Sequence, residues 1–251
     1  MPNYRIGIEY DGAAFHGWQA QAGGQSTVQG ALVEAVERVT GERVAVSGSG
    51  RTDAGVHAEA QVASFRLQAE WDPLRLQRAL NGVLPPAVAV GPVEQVSDSF
   101  DALRSAVGKR YRYRVWNGPQ RSPLRAARQV HVPKRLDIAS MQAAAASLVG
   151  EHDFASFQAS GSDVATSVRR LTRLDVRGDP GGEIEIVAEG TGFLRHMVRN
   201  LAGTLIEVGH GKRSPGSMAA LLAAECRDQA GPTAPAHGLT LEQVYYPHAP
   251  E

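Results

Sequence analysis

Cysteine is almost missing from this chain: Cys226 is the only one in 251 residues. An internal disulfide is excluded, and with it the small stapled folds of secreted proteins. Cys226 closes the apolar run MAALLAAEC, which predicts a buried thiol. Long hydrophobic runs are missing too, since no stretch approaches the roughly 18 apolar residues of a membrane span. The opening MPNYRIGIEYDG carries charges where a signal peptide would carry its apolar segment. A cytoplasmic protein without a membrane segment is the expectation. Eight histidines offer no HxH, HExxH or Cys/His pairing, so no metal is expected. No nucleotide-binding loop is present either. The run GSGRTDAG places Asp53 where a dinucleotide fingerprint needs its third glycine, and it is no P-loop. No organic cofactor is implied.

Net charge is absent as well, with 26 basic and 26 acidic side chains. The balance is uneven along the chain. Residues 101–136 hold ten Lys and Arg, with Asp101 as the one acid, while the flanking stretches are acidic. Basic charge gathered in one segment suits a polyanionic partner, although a solvated basic surface has the same composition.

What is present reads as a mixed α+β chain, since 43% hydrophobic residues suffice for a real core. Alternation predicts a strand over residues 3–10. Ser26 with Gln29 three residues on reads as a capping box, and Gly41 as the end of that helix. Strands follow over 43–48 and 59–67, a helix opens at Asp72 and Pro73, and a strand runs near 87–96. The order strand, helix, strand, strand, helix, strand is that of a ferredoxin-like unit. The second half repeats the outline, with strands at 109–117, 166–177 and 183–190. Helices are expected at 137–149, 194–208 and 214–224, and a closing strand near 239–246. Two ferredoxin-like or RRM-like units with antiparallel sheets are therefore expected, residues 1–105 and 106–251.

Three constellations could carry chemistry. The loop GSGRTDAGVHA, residues 48–58, joins two strands and carries Arg51 and Asp53. A carboxylate so placed can be a nucleophile or a general base, or can simply close an Asx-turn. The strand KRYRYRVWN puts Tyr111, Tyr113 and Val115 on one face and Arg110, Arg112 and Arg114 on the other. Rings beside guanidinium groups suit RNA, and equally suit a half-buried strand with a basic outer face. The basic run continues through Arg121, Arg125, Arg128, Lys134 and Arg135. From GTGFLRHMVRN, residues 190–200, onward, Phe193, Met197, Leu201 and Leu205 form a core stripe. Arg195 and Arg199 stand four apart at the helix start, where they oppose the helix dipole and call for an anion nearby.

Taken together, these segments resemble the tRNA pseudouridine synthase A (TruA-type) family. The resemblance runs over essentially the whole chain, through EYDGAAFHGWQ, TVQGALVEA, GSGRTDAGVHA, ALNGVLP, FDALRSAVGKRYRY, HDFASF, GTGFLRHMVRNLAGTL and PAHGLTLEQVYY. It implies isomerisation of uridine to pseudouridine at positions 38, 39 and 40 of tRNA by a cofactor-free homodimer, with the two units of each chain meeting at a central active-site cleft. Residue by residue, it implies that Asp53 is the catalytic aspartate and that Arg51 engages RNA and helps evict the nucleotide. Tyr111 falls on the tyrosine that stacks on the target uracil, and Arg199 on the basic residue that pairs with the aspartate. Arg110, Arg112 and Arg195 are expected to contact RNA. One departure stands out: Leu103 and Arg104 invert the family's arginine–aromatic pair. Three other readings use the same residues: a synthase acting on another RNA, a non-catalytic RNA-binding module, and an aspartate-dependent hydrolase. The hydrolase lacks a second carboxylate in the matched motifs.

Overall fold

The computed structural model describes residues 1–21, 24–159 and 164–247. The chain divides into two compact units, Met1–Val107 with Leu241–Glu251, and Gly108–Thr240. Both are mixed α+β with mostly antiparallel strand pairing, and five α-helices occur among the described residues.

The first unit contains β1 (Asn3–Tyr10), α1 (Val28–Thr40), β2 (Ser47–Gly48), β3 (His57–Arg66), α2 (Pro73–Val83) and β4 (Val88–Val96). Strand β1 lies between β4 and β3, antiparallel to both, and β2 pairs antiparallel with β3. The order is β4–β1–β3–β2. Alternation on β1 buries Tyr4, Ile6, Ile8 and Tyr10 fully or nearly so. Val28, Leu32 and Val36 of α1 and Leu76 and Leu80 of α2 complete this core at helical spacing.

Two local expectations change. The cap of α1 is Thr27, whose hydroxyl accepts from Gly30 N at 3.2 Å, rather than Ser26. Gln29 does not close a capping box: its Oε1 accepts from Gln19 Nε2 and Ala20 N, and its Nε2 donates to Val46 O. The strand expected over 43–48 shrinks to Ser47–Gly48. Beside that stretch, Glu42 accepts from the backbone of Gln68 and Ala69, so a side chain takes hydrogen bonds that a ladder would have made. Asp72 caps α2 as expected, accepting from Arg75 N.

The second unit contains β5 (Gly108–Trp116), β6 (Val130–His131), α3 (Ile138–Ala146), β7 (Gly150–Asp153), β8 (Val168–Gly178), β9 (Glu183–Gly190), α4 (Met197–Gly209) and α5 (Met218–Ala223). Strand β9 pairs antiparallel with β5 and β8, β8 with β7, and the short β6 runs parallel to β5. Tyr113, Val115, Ile184 and Ile186 face a core that includes Met141, Leu201 and Leu205.

Strand β10 (Leu239–Tyr245) crosses the boundary between the units. The last residues belong with the first unit, whereas the sequence suggested a single second unit over 106–251. Side-chain anchoring explains the difference: Tyr246 Oη donates to Ala102 O at 2.7 Å, and the Arg5 guanidinium lies 4.8 Å from the Tyr246 ring centre. Cys226 is half-buried instead of buried. Helix α5 ends at Ala223 and Glu225 takes a positive φ of 46°, which carries the thiol past the apolar face. Among the described residues, no helix is long and apolar enough to cross a membrane, and no cluster of three or more metal-ligating side chains occurs.

Candidate active site

The Asp53 loop, residues 49–56, is pinned by small residues and buried polar bonds of the first unit. Trp18 is fully buried, and its backbone N–H donates to Thr52 O at 3.0 Å. The indole lies on Gly48, where a Cβ would come within 2.3 Å of the ring. Gly17 has a φ of +93°, and a Cβ there would meet Thr52 O at 2.8 Å. Only glycine permits that approach. Tyr10 Oη and Thr52 Oγ1 share a buried hydrogen bond of 2.7 Å. Burial pushes the Tyr10 phenol up to about 12, with hydrogen bonds from Thr52 and Gln61 opposing the rise. Gln61, also buried, donates to Gly50 O, and Val56 N donates to Asp53 O. The motifs EYDGAAFHGWQ and GSGRTDAGVHA therefore touch throughout. On this frame Thr52 is buried, Asp53 half-buried and Arg51 exposed.

His57 has a structural bond in the same frame. Its Nδ1 lies 3.1 Å from both Gly12 N and Asp11 Oδ1. The ring is thereby tied to the Asp11–Gly12 turn that follows β1.

The second unit carries Tyr111 and Arg199. Tyr111 is buried on β5 with its ring edge-on to Phe193, centroids 5.0 Å apart. Phe193 lies outside α4 and only half-buried, so the expected stripe keeps Met197, Leu201 and Leu205 alone as core. Arg195 is exposed and also precedes the helix. His196, with φ 61°, is the N-cap. A left-handed non-glycine residue is a costly conformation, of the kind that concentrates at functional turns. Of the two arginines, Arg199 is the one inside the first turn of α4, where it opposes the helix dipole. Its Nε donates to Ala234 O at 2.8 Å, and Ala234 N donates back to Arg199 O at 3.2 Å. Tyr113 Oη donates to the next carbonyl, Pro235 O, at 2.9 Å. Burial pushes the Tyr113 phenol above its ordinary range, and the Arg199 charge offsets part of that rise.

Residues that sequence reading passed over hold Ala234 and Pro235 in place. Arg227 donates to Gly231 O, Thr233 Oγ1 and Asn200 Oδ1 at 2.9–3.1 Å. Asn200 is fully buried, accepts a second bond from Thr233 and donates to Phe157 O. Gly203 allows Pro232 O against α4, where a Cβ would come within 1.8 Å of it. Asn200 was visible inside a motif but was overshadowed by the apolar stripe; Arg227 and Thr233 carried no signal.

The arginines of β5 are not a bare cationic face. Arg110 Nε meets Glu189 Oε1 at 3.1 Å, and Glu189 also meets Arg173. Arg112 and Arg114 meet Glu185 at 3.2 and 3.6 Å, and Glu185 meets Arg177 as well. The β9 carboxylates thus sit between arginines of β5 and β8.

The tRNA pseudouridine synthase family model matches residues 6–102 and 144–247. The chain belongs to that family. Relatives called tRNA pseudouridine synthase A come from Myxococcus xanthus, at 47% identity over 250 residues, with 100% of this chain and 94% of the relative covered. The relative from Azorhizobium caulinodans is 46% identical, covering 98% and 95%. The one from Ruminiclostridium cellulolyticum is 42% identical, covering 98% and 100%. A solved Cbf5–Nop10–Gar1 complex aligns with 95% of this chain and 48% of its own, at 12% identity and a TM-score of 0.36, too slight a likeness to bear on the site. The family model leaves out residues 103–143, where Tyr111 and the basic segment lie, whereas the relatives align across them.

Proposed function

We propose that this chain isomerises uridine to pseudouridine at positions 38, 39 and 40 of tRNA, with Asp53 as its catalytic carboxylate. The observation that carries the reading is the Asp53 loop. Buried Thr52, Trp18 and Gln61 hold its backbone, with Asp53 half-buried and Arg51 exposed on it. Rigid support of a part-exposed carboxylate is what a positioned nucleophile or base requires.

The reaction balances within the substrate. The C1′–N1 bond breaks, the uracil turns, a C1′–C5 bond forms, the C5 proton leaves to solvent and N1 takes one up. Asp53 either attacks C1′ and is displaced by C5, or removes the C2′ proton as uracil leaves to give a glycal and returns that proton to C2′ as C5 adds to C1′. No cofactor enters either balance. Everting the base costs a few kcal/mol. Stacking on Tyr111 returns about 1–3 kcal/mol. Exposed Arg51 and Arg195 serve as RNA contacts. Arg110 and Arg112, tied to Glu189 and Glu185, contribute less charge to the same role. Arg199 acts as the basic partner of the reaction. The first unit supplies the catalytic-aspartate loop, and the second the tyrosine strand and arginine helix. The order β4–β1–β3–β2 supports a ferredoxin-like first unit, and the second follows a related plan. A cytoplasmic homodimer completes the reading.

The test is tritium release from C5-labelled, unmodified tRNA. Wild-type protein should release tritium with the glycosidic linkage kept, and Asp53→Asn should release none while still binding tRNA. Normal turnover by Asp53→Asn overturns the site; free uracil as product would establish a hydrolase instead.

A further inference from the structure

Beyond the Trp116 end of β5, the second unit has a recess of about 320 Å³ lined by Trp116, Arg121, Arg125, Gln129, His131 and His237. The Arg125 guanidinium lies over the Trp116 ring, 4.5 Å from its centre. A side-chain bond from Arg125 Nη1 to Ser122 Oγ holds that placement. The indole is itself fixed, with Nε1 donating to Gln120 O at 2.7 Å. A Cβ on Gly118 would come within 2.4 Å of it, so this glycine makes room for the ring. No carboxylate lines the recess. Among the described residues, Arg121 and Arg125 form no ion pair, in contrast to Arg110, Arg112 and Arg114 on β5. The nearby Glu183 accepts from Gln129 Nε2 at 2.9 Å.

A guanidinium held over an indole face and tied to a neighbouring hydroxyl is already part-ordered and loses less entropy on meeting a phosphate. We infer that this recess is a phosphate-backbone site for tRNA, with Arg121 and Arg125 gripping phosphodiester oxygens away from the reacting uridine. The inference rests on the proposed tRNA reading and adds a contact that sets affinity without touching the chemistry. The partner is a phosphodiester chain rather than free phosphate, because the recess lies within the segment where basic residues are concentrated, including exposed Arg128 and Arg135.

The test is the double variant Arg121→Ala/Arg125→Ala, with tRNA binding measured by filter retention between about 50 and 200 mM salt. Two lost phosphate contacts should lower the slope of log K against log salt by about 2 and weaken binding about tenfold at the lower salt. KM should rise, and kcat at saturating tRNA should stay within about twofold of wild type, the split expected for uniform binding. Arg121→Lys/Arg125→Lys should recover most of the salt slope. Unchanged affinity and slope in the alanine variant overturn the inference, as does a fall in kcat with KM unchanged. Inorganic phosphate that protects the recess from arginine modification as well as tRNA does at equal phosphate concentration also overturns it, by showing an adventitious anion site. None of these outcomes touches the Asp53 assignment, which stands or falls on tritium release by Asp53→Asn.

Discussion

The arginines of β5 and those of residues 121–135 look alike in sequence and differ in the fold. On β5, Arg110, Arg112 and Arg114 are held by Glu189 and Glu185 in a lattice that also takes in Arg173 and Arg177. Arg121, Arg125 and Arg128 are exposed and carry no ion pair among the described residues. A third group, Arg199 and Arg227, donates to the 231–234 segment and, from Arg227, to Asn200 of α4. A guanidinium in a lattice is a structural fastening, whereas an exposed one is available to a polyanion. Counting basic residues along a segment therefore locates a partner only after cross-strand carboxylates are subtracted.

Three substitutions sharpen this comparison. The largest effect is expected for Arg227→Ala, which removes bonds to Gly231, Thr233 and buried Asn200. It should cost about 2 kcal/mol in denaturant unfolding, the range of charged hydrogen bonds. It should also lower turnover, since Ala234 and Pro235 lose their support for Arg199 and Tyr113. A variant as stable and active as wild type would show that the loop is held by its backbone alone.

Glu185→Gln comes next. It leaves Arg112, Arg114 and Arg177 around a neutral amide, and because these side chains are partly exposed the loss should be about 1 kcal/mol. Binding to tRNA should strengthen and become more salt-sensitive as the lattice releases cations. Weaker tRNA binding in a folded Glu185→Gln protein would mean that the lattice itself shapes the RNA surface.

The smallest effect is expected for Arg128→Ala, an exposed change that should leave unfolding free energy within about 0.5 kcal/mol. Its thermal melt should superimpose on that of wild type, and a larger loss would place Arg128 with the fastened arginines.

Local rules made much of the first unit readable. Alternation marked β1, Asp72 and Pro73 marked α2, and Gly41 marked the end of α1, because strand period and helix caps are short-range effects. The cap at Thr27 and the shortened β2 escaped, because distant partners decided both: Gln29 binds Val46 and the Gln19–Ala20 turn, and Glu42 binds the backbone at 68–69. Arg195 and Phe193 read as helical from their spacing, but His196 in a left-handed conformation starts α4 after them.

By itself, the sequence determined the α+β character, the family, and the loop in which a carboxylate stands among glycines and an arginine. Those features depend on residue identity and near-neighbour spacing. Which glycine admits Trp18, which arginine meets a carboxylate and which meets a carbonyl, and where the C-terminal strand returns were decided only in three dimensions. Each of these depends on a contact between residues far apart in the chain, and pairing of that kind leaves no periodic trace in a single sequence.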